Sequence, residues 1–215
     1  MRIIDIIRKY KTAYLHYIRK RRFSHLKQEV TDPNISIITS NCLGGVIPHD
    51  YGVRFNSPTV NLFIPAPDYI PFLKNLKKYL QCDIVDITGD SNYPIGLLGG
   101  DIHLHFLHYS SFKEAYDIWM KRRSRVNYDN LFIVFTENDN CNYDILKEFD
   151  NLLPNEMCPF KNKVMFTHKK YNEFKCSVYV PGFEDKGRVA LVTGWKGLFG
   201  ARNYDIFDWS NFLFK

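Results

Sequence analysis

From residue 35 onward, short apolar runs alternate with stretches of helical periodicity, and that alternation limits the folds open to the chain. Apolar runs bounded by turn residues read as buried strands, and strands alternating with helices build a layered α/β sheet. The runs are 35–39, 59–64, 84–88, 102–107, 131–136, 164–167, 177–180 and 189–193. Helical patterns cover 68–80, 111–126, 143–153 and a C-terminal piece around 204–213. The clearest helix is 111–126: Phe112, Ala115, Tyr116, Trp119, Arg123 and Val126 keep helical spacing, and Ser111 with Glu114 forms a capping box. Asp68 is placed to cap the helix after it, with Pro71 in the first turn. The expected fold is a three-layer α/β sandwich with a mostly parallel or mixed central sheet flanked by helices.

With 215 residues, 45% of them hydrophobic, one large domain over 31–215 can bury a full core. The turn cluster Thr31-Asp32-Pro33-Asn34 separates that domain from an arm, residues 1–30. In the arm Ile3, Ile7, Tyr10, Tyr14 and Tyr17 recur at helical spacing among basic residues, the pattern of a basic amphipathic helix. It lacks both the unbroken apolar core of a membrane span and the cleavage pattern of a secretory signal. Two roles fit it: packing on its own domain or a second subunit, or docking on an anionic membrane surface.

The formal charge of +6 raises the question of nucleic acid, and its distribution answers it. Residues 1–30 hold nine Lys or Arg against two acids, whereas the other 185 hold 20 against 21. A body this near neutrality lacks the basic face that nucleic-acid binding requires, so no nucleic-acid partner is expected. The five cysteines are odd in number and contain no Cys-x-x-Cys pair, which argues against a disulfide framework or a zinc ribbon and for a reducing, cytoplasmic setting.

The first chemical candidate is Ser40-Asn41-Cys42-Leu43-Gly44-Gly45, where an apolar run enters a glycine-bearing turn. If the following segment is helical, Cys42 sits at a helix N-terminus, where free backbone N–H groups favour a thiolate or a bound phosphate. Gly44 and Gly45 would let a ligand approach the backbone, and Asn41 lies beside them. A nucleophilic Cys42 needs a base, from nearby His49 or from another strand edge; the plainer alternative is a cysteine packed beside a tight turn. A second cluster, Asp101 to Tyr109, puts His103 and His105 on one face of a strand, with His108 following. His105 or His108 is the candidate acid/base. A metal site here lacks a third ligand, so none is assigned and the cofactor is left unknown.

Further polar groups sit at the ends of the apolar runs. Asp129 and Asn130 precede 131–136 as candidate substrate-binding groups, while Thr136, Glu137 and Asp139 stand at its exit, as a turn and helix cap or as ligands for sugar hydroxyls or a cation. Asn56 and Ser57 precede 59–64, and Trp195 in Gly194-Trp195-Lys196-Gly197 can stack on a sugar ring or anchor its loop.

Several of these segments together resemble a bacterial domain family associated with exopolysaccharide biosynthesis. The residues that carry the resemblance are Ser40-Asn41-Cys42-x-Gly44-Gly45, Arg54 to Ile64, Tyr93-Pro94-Ile95-Gly96, His105 to Tyr109, Glu114-Ala115 with Trp119 and Arg122, Asn127 to Phe132, and Phe160 to Val164. They cover most of residues 35 to about 210 and leave out the arm. The resemblance implies an α/β three-layer fold and a role in bacterial surface-polysaccharide or capsule synthesis, with no established reaction. The expected function is a transferase of surface-glycan assembly acting on an activated sugar or lipid-linked glycan at the cytoplasmic membrane face. Its cleft would draw on Asn41, Cys42, Gly44, Gly45, Asn56, His105, His108 and Asp129. Alternatives are a Cys42-dependent acyltransferase or hydrolase and a glycan-binding or assembly scaffold without turnover.

Overall fold

The computed structural model describes residues 3–215. The chain runs α1 (Ile3–Arg22), β1 (Ser36–Thr39), α2 (Leu43–Tyr51), α3 (Ala66–Lys74), α4 (Leu76–Tyr79), β2 (Ile84–Asp86), β3 (Ile95–Leu98), β4 (Ile102–His105), α5 (Phe112–Arg123), β5 (Leu131–Thr136), α6 (Tyr143–Asn151), β6 (Asn162–Thr167), β7 (Ser177–Tyr179), β8 (Trp195–Lys196), β9 (Ala201–Arg202) and α7 (Trp209–Phe214). All six residues of β5 are buried, as expected of a strand covered on both faces. It is interior to a four-stranded, all-parallel sheet of order β1-β5-β6-β7.

Alternate residues of this sheet feed two separate cores. Ile37, Phe132, Val134, Val164 and Phe166 pack with α2 and α7, including Leu43, Ile47, Trp209 and Phe212. Ile38, Leu131, Ile133, Phe135 and Met165 pack with α3, α5, α6 and a small antiparallel sheet, β2-β3-β4. The result is the three-layer α/β arrangement that the alternation of runs predicts, with a parallel central sheet and antiparallel additions. Because every strand of the central sheet points the same way, the ends of β1, β5 and β6 make one carboxyl edge.

Local chemistry explains where the elements depart from expectation. The run 59–64 forms no strand: Asn61 takes a left-handed φ of 64°, and a single bridge from Phe63 to His105 remains. The run 189–193 is turns, while β3, which glycine at position 96 concealed, pairs between β2 and β4. The helix expected from Asp68 begins at Ala66 and breaks at Asn75 into α3 and α4. Asp68 is not its cap; its carboxylate accepts from the His103 backbone N–H and lies 2.8 Å from His103 Nδ1. Ser111 does cap α5, accepting from Glu114 N–H, but the Glu114 carboxylate returns to Ser110 instead of completing the box. The C-terminal piece divides into a 3-10 turn, Asn203–Ile206, and α7.

Helix α1 is held against the domain through Leu15 and Arg19, both buried. Arg19 donates to Asp50 at 3.1 Å, Asp205 at 2.8 Å, the Tyr204 hydroxyl at 2.9 Å and the Gly200 carbonyl at 3.0 Å. A buried guanidinium is tolerable only when its donors are satisfied in this way. Gly200 has φ 70°, and a Cβ there would sit 2.7 Å from the Arg19 nitrogen, so glycine permits this contact. The opposite face of α1 leaves Ile7, Tyr10, Tyr14 and Tyr17 exposed.

Candidate functional site

Strand β1 ends in a chain of short-range hydrogen bonds that sets the start of α2. Thr39 Oγ1 donates to the Asn41 carbonyl at 2.5 Å and accepts from Gly44 N–H at 3.1 Å. Asn41 Oδ1 accepts from Leu43 N–H at 3.0 Å, and the Cys42 carbonyl accepts from Gly45 and Val46. The first-turn N–H groups are therefore already partnered, and the backbone anion cradle expected here is absent from this turn. Gly44 serves packing instead: a Cβ would lie 2.5 Å from the Thr59 carbonyl. Helix α2 ends at Gly52 in the left-handed region, with Gly52 and Val53 N–H donating back to the Pro48 turn.

What this geometry does present is the Cys42 side chain, at the α2 N-cap position. Its Sγ lies 3.3 Å from His108 Nε2, across 66 residues of sequence. Burial pushes the thiol above its ordinary range, so the resting group is a neutral thiol in hydrogen-bond reach of an imidazole. The loop after β4 that supplies His108 is fixed by its neighbour Tyr109. The Tyr109 hydroxyl donates to the Val60 carbonyl at 3.0 Å and accepts from Arg122 of α5 at 3.1 Å. Arg122 also lies over the Phe55 ring. Tyr109 and Arg122 thus position the pair, a role their place in the sequence gave no sign of.

The other expected residues separate into distinct places. His105, half-buried on β4, sits 3.3 Å from the Tyr93 hydroxyl, and burial followed by the neighbouring His103 lowers its pKa. His103 belongs to Asp68. Among the described residues no three His, Cys, Asp or Glu side chains are grouped to hold a metal ion. Asn56, Ser57, Asp129 and Asn130 are not gathered with Cys42. Asn56 Nδ2 donates to Asn34 and its carbonyl accepts from Ser36 at the start of β1. Ser57 bonds Thr59, Asp129 N–H donates to Asn127, and Asn130 donates to Asp32 at 2.7 Å before β5 begins. Asn56, Asp129 and Asn130 therefore lie at the amino edge of the sheet, opposite Cys42. Trp195 has the Arg202 guanidinium 4.0 Å over its ring, so one face is taken by a cation.

A cavity of about 760 Å³ opens between α1, α2 and the segment around 55–61. Gly45, Val46 and His49 line it. These stand three, four and seven residues beyond Cys42, on the same side of α2. At the same carboxyl edge, buried Glu137 binds His168 through Nδ1 at 2.6 Å and through the backbone N–H at 2.8 Å. The Thr136 hydroxyl and the Asn138 carboxamide beside it are buried without a hydrogen-bond partner among the described residues.

A family model described as a domain of unknown function, DUF1919, matches residues 13–214, which takes in the docked half of α1. An uncharacterized protein of Haemophilus influenzae is 39% identical over 184 residues, 86% of this chain and 86% of the relative. With its cysteine–histidine pair at the carboxyl edge of a parallel sheet, the chain belongs to the DUF1919 family.

Proposed function

We propose that this protein is a thiol-dependent group-transfer enzyme of surface-glycan biosynthesis, with Cys42 as nucleophile and His108 as its base. The observation that carries the reading is the 3.3 Å approach of Cys42 Sγ to His108 Nε2. A nucleophile and base in hydrogen-bond reach, brought together from distant segments, is the common signature of covalent catalysis. Because burial holds the thiol neutral, His108 must take its proton as attack occurs. Sγ then bonds to the carbonyl carbon of an activated acyl donor, and the donor's leaving group departs with the proton from His108. A thioester remains on Cys42. A glycan hydroxyl next gives its proton to His108 and attacks the thioester, forming the ester and returning the sulfur as thiol. The Asn41 carboxamide nitrogen, adjacent in sequence and without a hydrogen-bond partner among the described residues, is the nearest candidate donor to the developing oxyanion. The glycan setting is supported by the motif resemblance across residues 35 to about 210.

The test is intact-mass and peptide analysis after incubation with p-nitrophenyl acetate. An acyl group on the Cys42 peptide, absent in Cys42→Ala and formed at least about 100-fold more slowly in His108→Ala, is the expected result. Acylation of the Cys42 peptide in His108→Ala at the wild-type rate would rule the pair out.

The membrane face is the proposed location. No described helix is long and apolar enough to cross a membrane, but the outward stripe Ile7, Tyr10, Tyr14 and Tyr17 offers apolar contact. Leu198 and Phe199 are exposed near the end of α1, where Arg22 donates to the Phe199 carbonyl. Arg21, Arg22 and Lys196 supply complementarity to anionic lipid. Sedimentation with phosphatidylglycerol vesicles should fall when Tyr10, Tyr14 and Phe199 become serine; wild-type protein that stays in the supernatant would overturn the placement.

A further inference from the structure

The cavity between α1 and α2 carries a second assignment that is independent of thiol chemistry. Its permanent cations are Arg19, Lys20, Lys27 and Arg202, and Asp50 is the one carboxylate in its lining. Arg19 and Asp50 neutralise each other in the clasp that docks α1. Lys20 and Lys27 have no hydrogen bond or ion pair among the described residues, so their charge is uncommitted.

Arg202 is the most informative member. Its Nη1 donates to the Thr193 carbonyl at 2.7 Å, and its guanidinium is braced on Trp195, whose ring is met edge-on by His16 at 5.0 Å. Its Nε is buried and has no partner among the described residues, so the guanidinium meets the cavity through its remaining edge. Burial first, then Arg202, His49 and Arg19, opposed by Asp50, lower the pKa of His16 at the rim of this group of cations.

We infer that this cavity binds an organic diphosphate, with Arg202, Lys20 and Lys27 as the charged ligands of its phosphates. Three cations without an ion-pair partner among the described residues match the two to three negative charges of a diphosphate ester. A volume of about 760 Å³ exceeds what inorganic phosphate needs and lies within the roughly 300–1,000 Å³ of small-molecule sites. Val46, Val60 and Phe55 supply apolar wall for the organic part. The site runs along the side of α2 that leads to Cys42, and seven residues of helix span about 10 Å, so a bound diphosphate would place its substituent toward the thiol. Two kinds of molecule share this chemistry, a nucleotide-activated compound and a prenyl-linked one.

The experiment is titration of the full chain, followed by calorimetry and tryptophan fluorescence, with inorganic pyrophosphate, ADP, UDP-glucose and farnesyl diphosphate. Saturable binding of a nucleotide or of farnesyl diphosphate is expected, weakening as salt rises, and which one binds identifies the source. Lys20 and Lys27 are exposed, so the double variant Lys20→Met/Lys27→Met should fold and should lose at least about tenfold in affinity. Arg202→Met should lose as much and abolish the fluorescence change. Cys42→Ala should bind like wild type, which separates failure of the thiol reading from failure of this one. No binding of any organic diphosphate, binding of pyrophosphate alone, or affinity unchanged in both cation variants would each overturn the inference.

Discussion

The two edges of the central sheet are both rich in polar side chains, yet they are built to opposite ends. At the amino edge Asp32, Asn34, Ser36, Asn56, Asn127 and Asn130 bond one another: Asn130 to Asp32 at 2.7 Å, Asn127 to the Asn34 carbonyl at 2.6 Å, Ser36 to the Asn56 carbonyl at 2.7 Å. Such groups cross-link the turn before β1 to the turn before β5, and their hydrogen bonding is spent on that. At the carboxyl edge Cys42 meets His108, while the Thr136 hydroxyl and the Asn138 carboxamide are buried without partners among the described residues. Partnered polar groups stabilise; unpartnered ones cost free energy and need another reason to be there. Polarity alone therefore does not mark a site; what separates the two edges is that the carboxyl edge keeps polar side chains unspent on cross-linking.

The largest expected contrast is in reactivity at the carboxyl edge. Since burial raises the Cys42 pKa, the thiolate fraction near neutrality is below that of a free cysteine and grows as pH rises toward the raised value. Iodoacetamide labelling of the Cys42 peptide should climb about tenfold per pH unit from pH 7 to 9, without a plateau in the ordinary thiol range near 8.5. A plateau below pH 8 would mean a preformed thiolate–imidazolium pair and a different resting state. Next in size, Asn130→Ala at the amino edge should cost about 1–2 kcal/mol by urea unfolding, because it removes the buried carboxamide's hydrogen bond to the Asp32 carboxylate, and should leave Cys42 acylation unchanged. Loss of acylation with stability intact would reverse the assignment of the two edges. Smallest is Thr136→Val, which removes a hydroxyl with no partner and should shift stability by less than about 1 kcal/mol, toward greater stability. A loss of more than about 1 kcal/mol would show that this hydroxyl is satisfied in solution.

The sequence made the central strands legible because β1 and β5 are apolar on both faces, and only strands buried on both sides read as continuous runs. It hid β3, where Gly96 interrupts the pattern and a Cβ would meet Ile84 at 2.4 Å. Cys42 stood out through its turn, and His108 through its residue type. Their pairing did not, since nothing local in a chain specifies a contact across 66 residues. The expected gathering of Asn56 and Asp129 around Cys42 failed for a related reason: a polar residue beside an apolar run can lie at either end of a strand, and direction is a tertiary property. The basic cavity escaped notice because the arm's cations read as one solvated or membrane-facing set. In the fold they divide, with Arg19 turned to the core, Lys20 and Lys27 to the cavity, and Tyr10, Tyr14 and Tyr17 outward.

Arg19 also orders events in time. Its two carboxylate partners are Asp50 and Asp205, the second 186 residues along the chain. During synthesis from the N-terminus, α1 and β1 emerge long before the residue that completes the guanidinium's set of partners, and a buried cation lacking them is unfavourable. Closing a loop of that length is slow relative to local structure. Until the segment that carries Asp205 arrives, then, α1 remains free to detach, and the cavity it walls acquires its final shape only after that segment is in place.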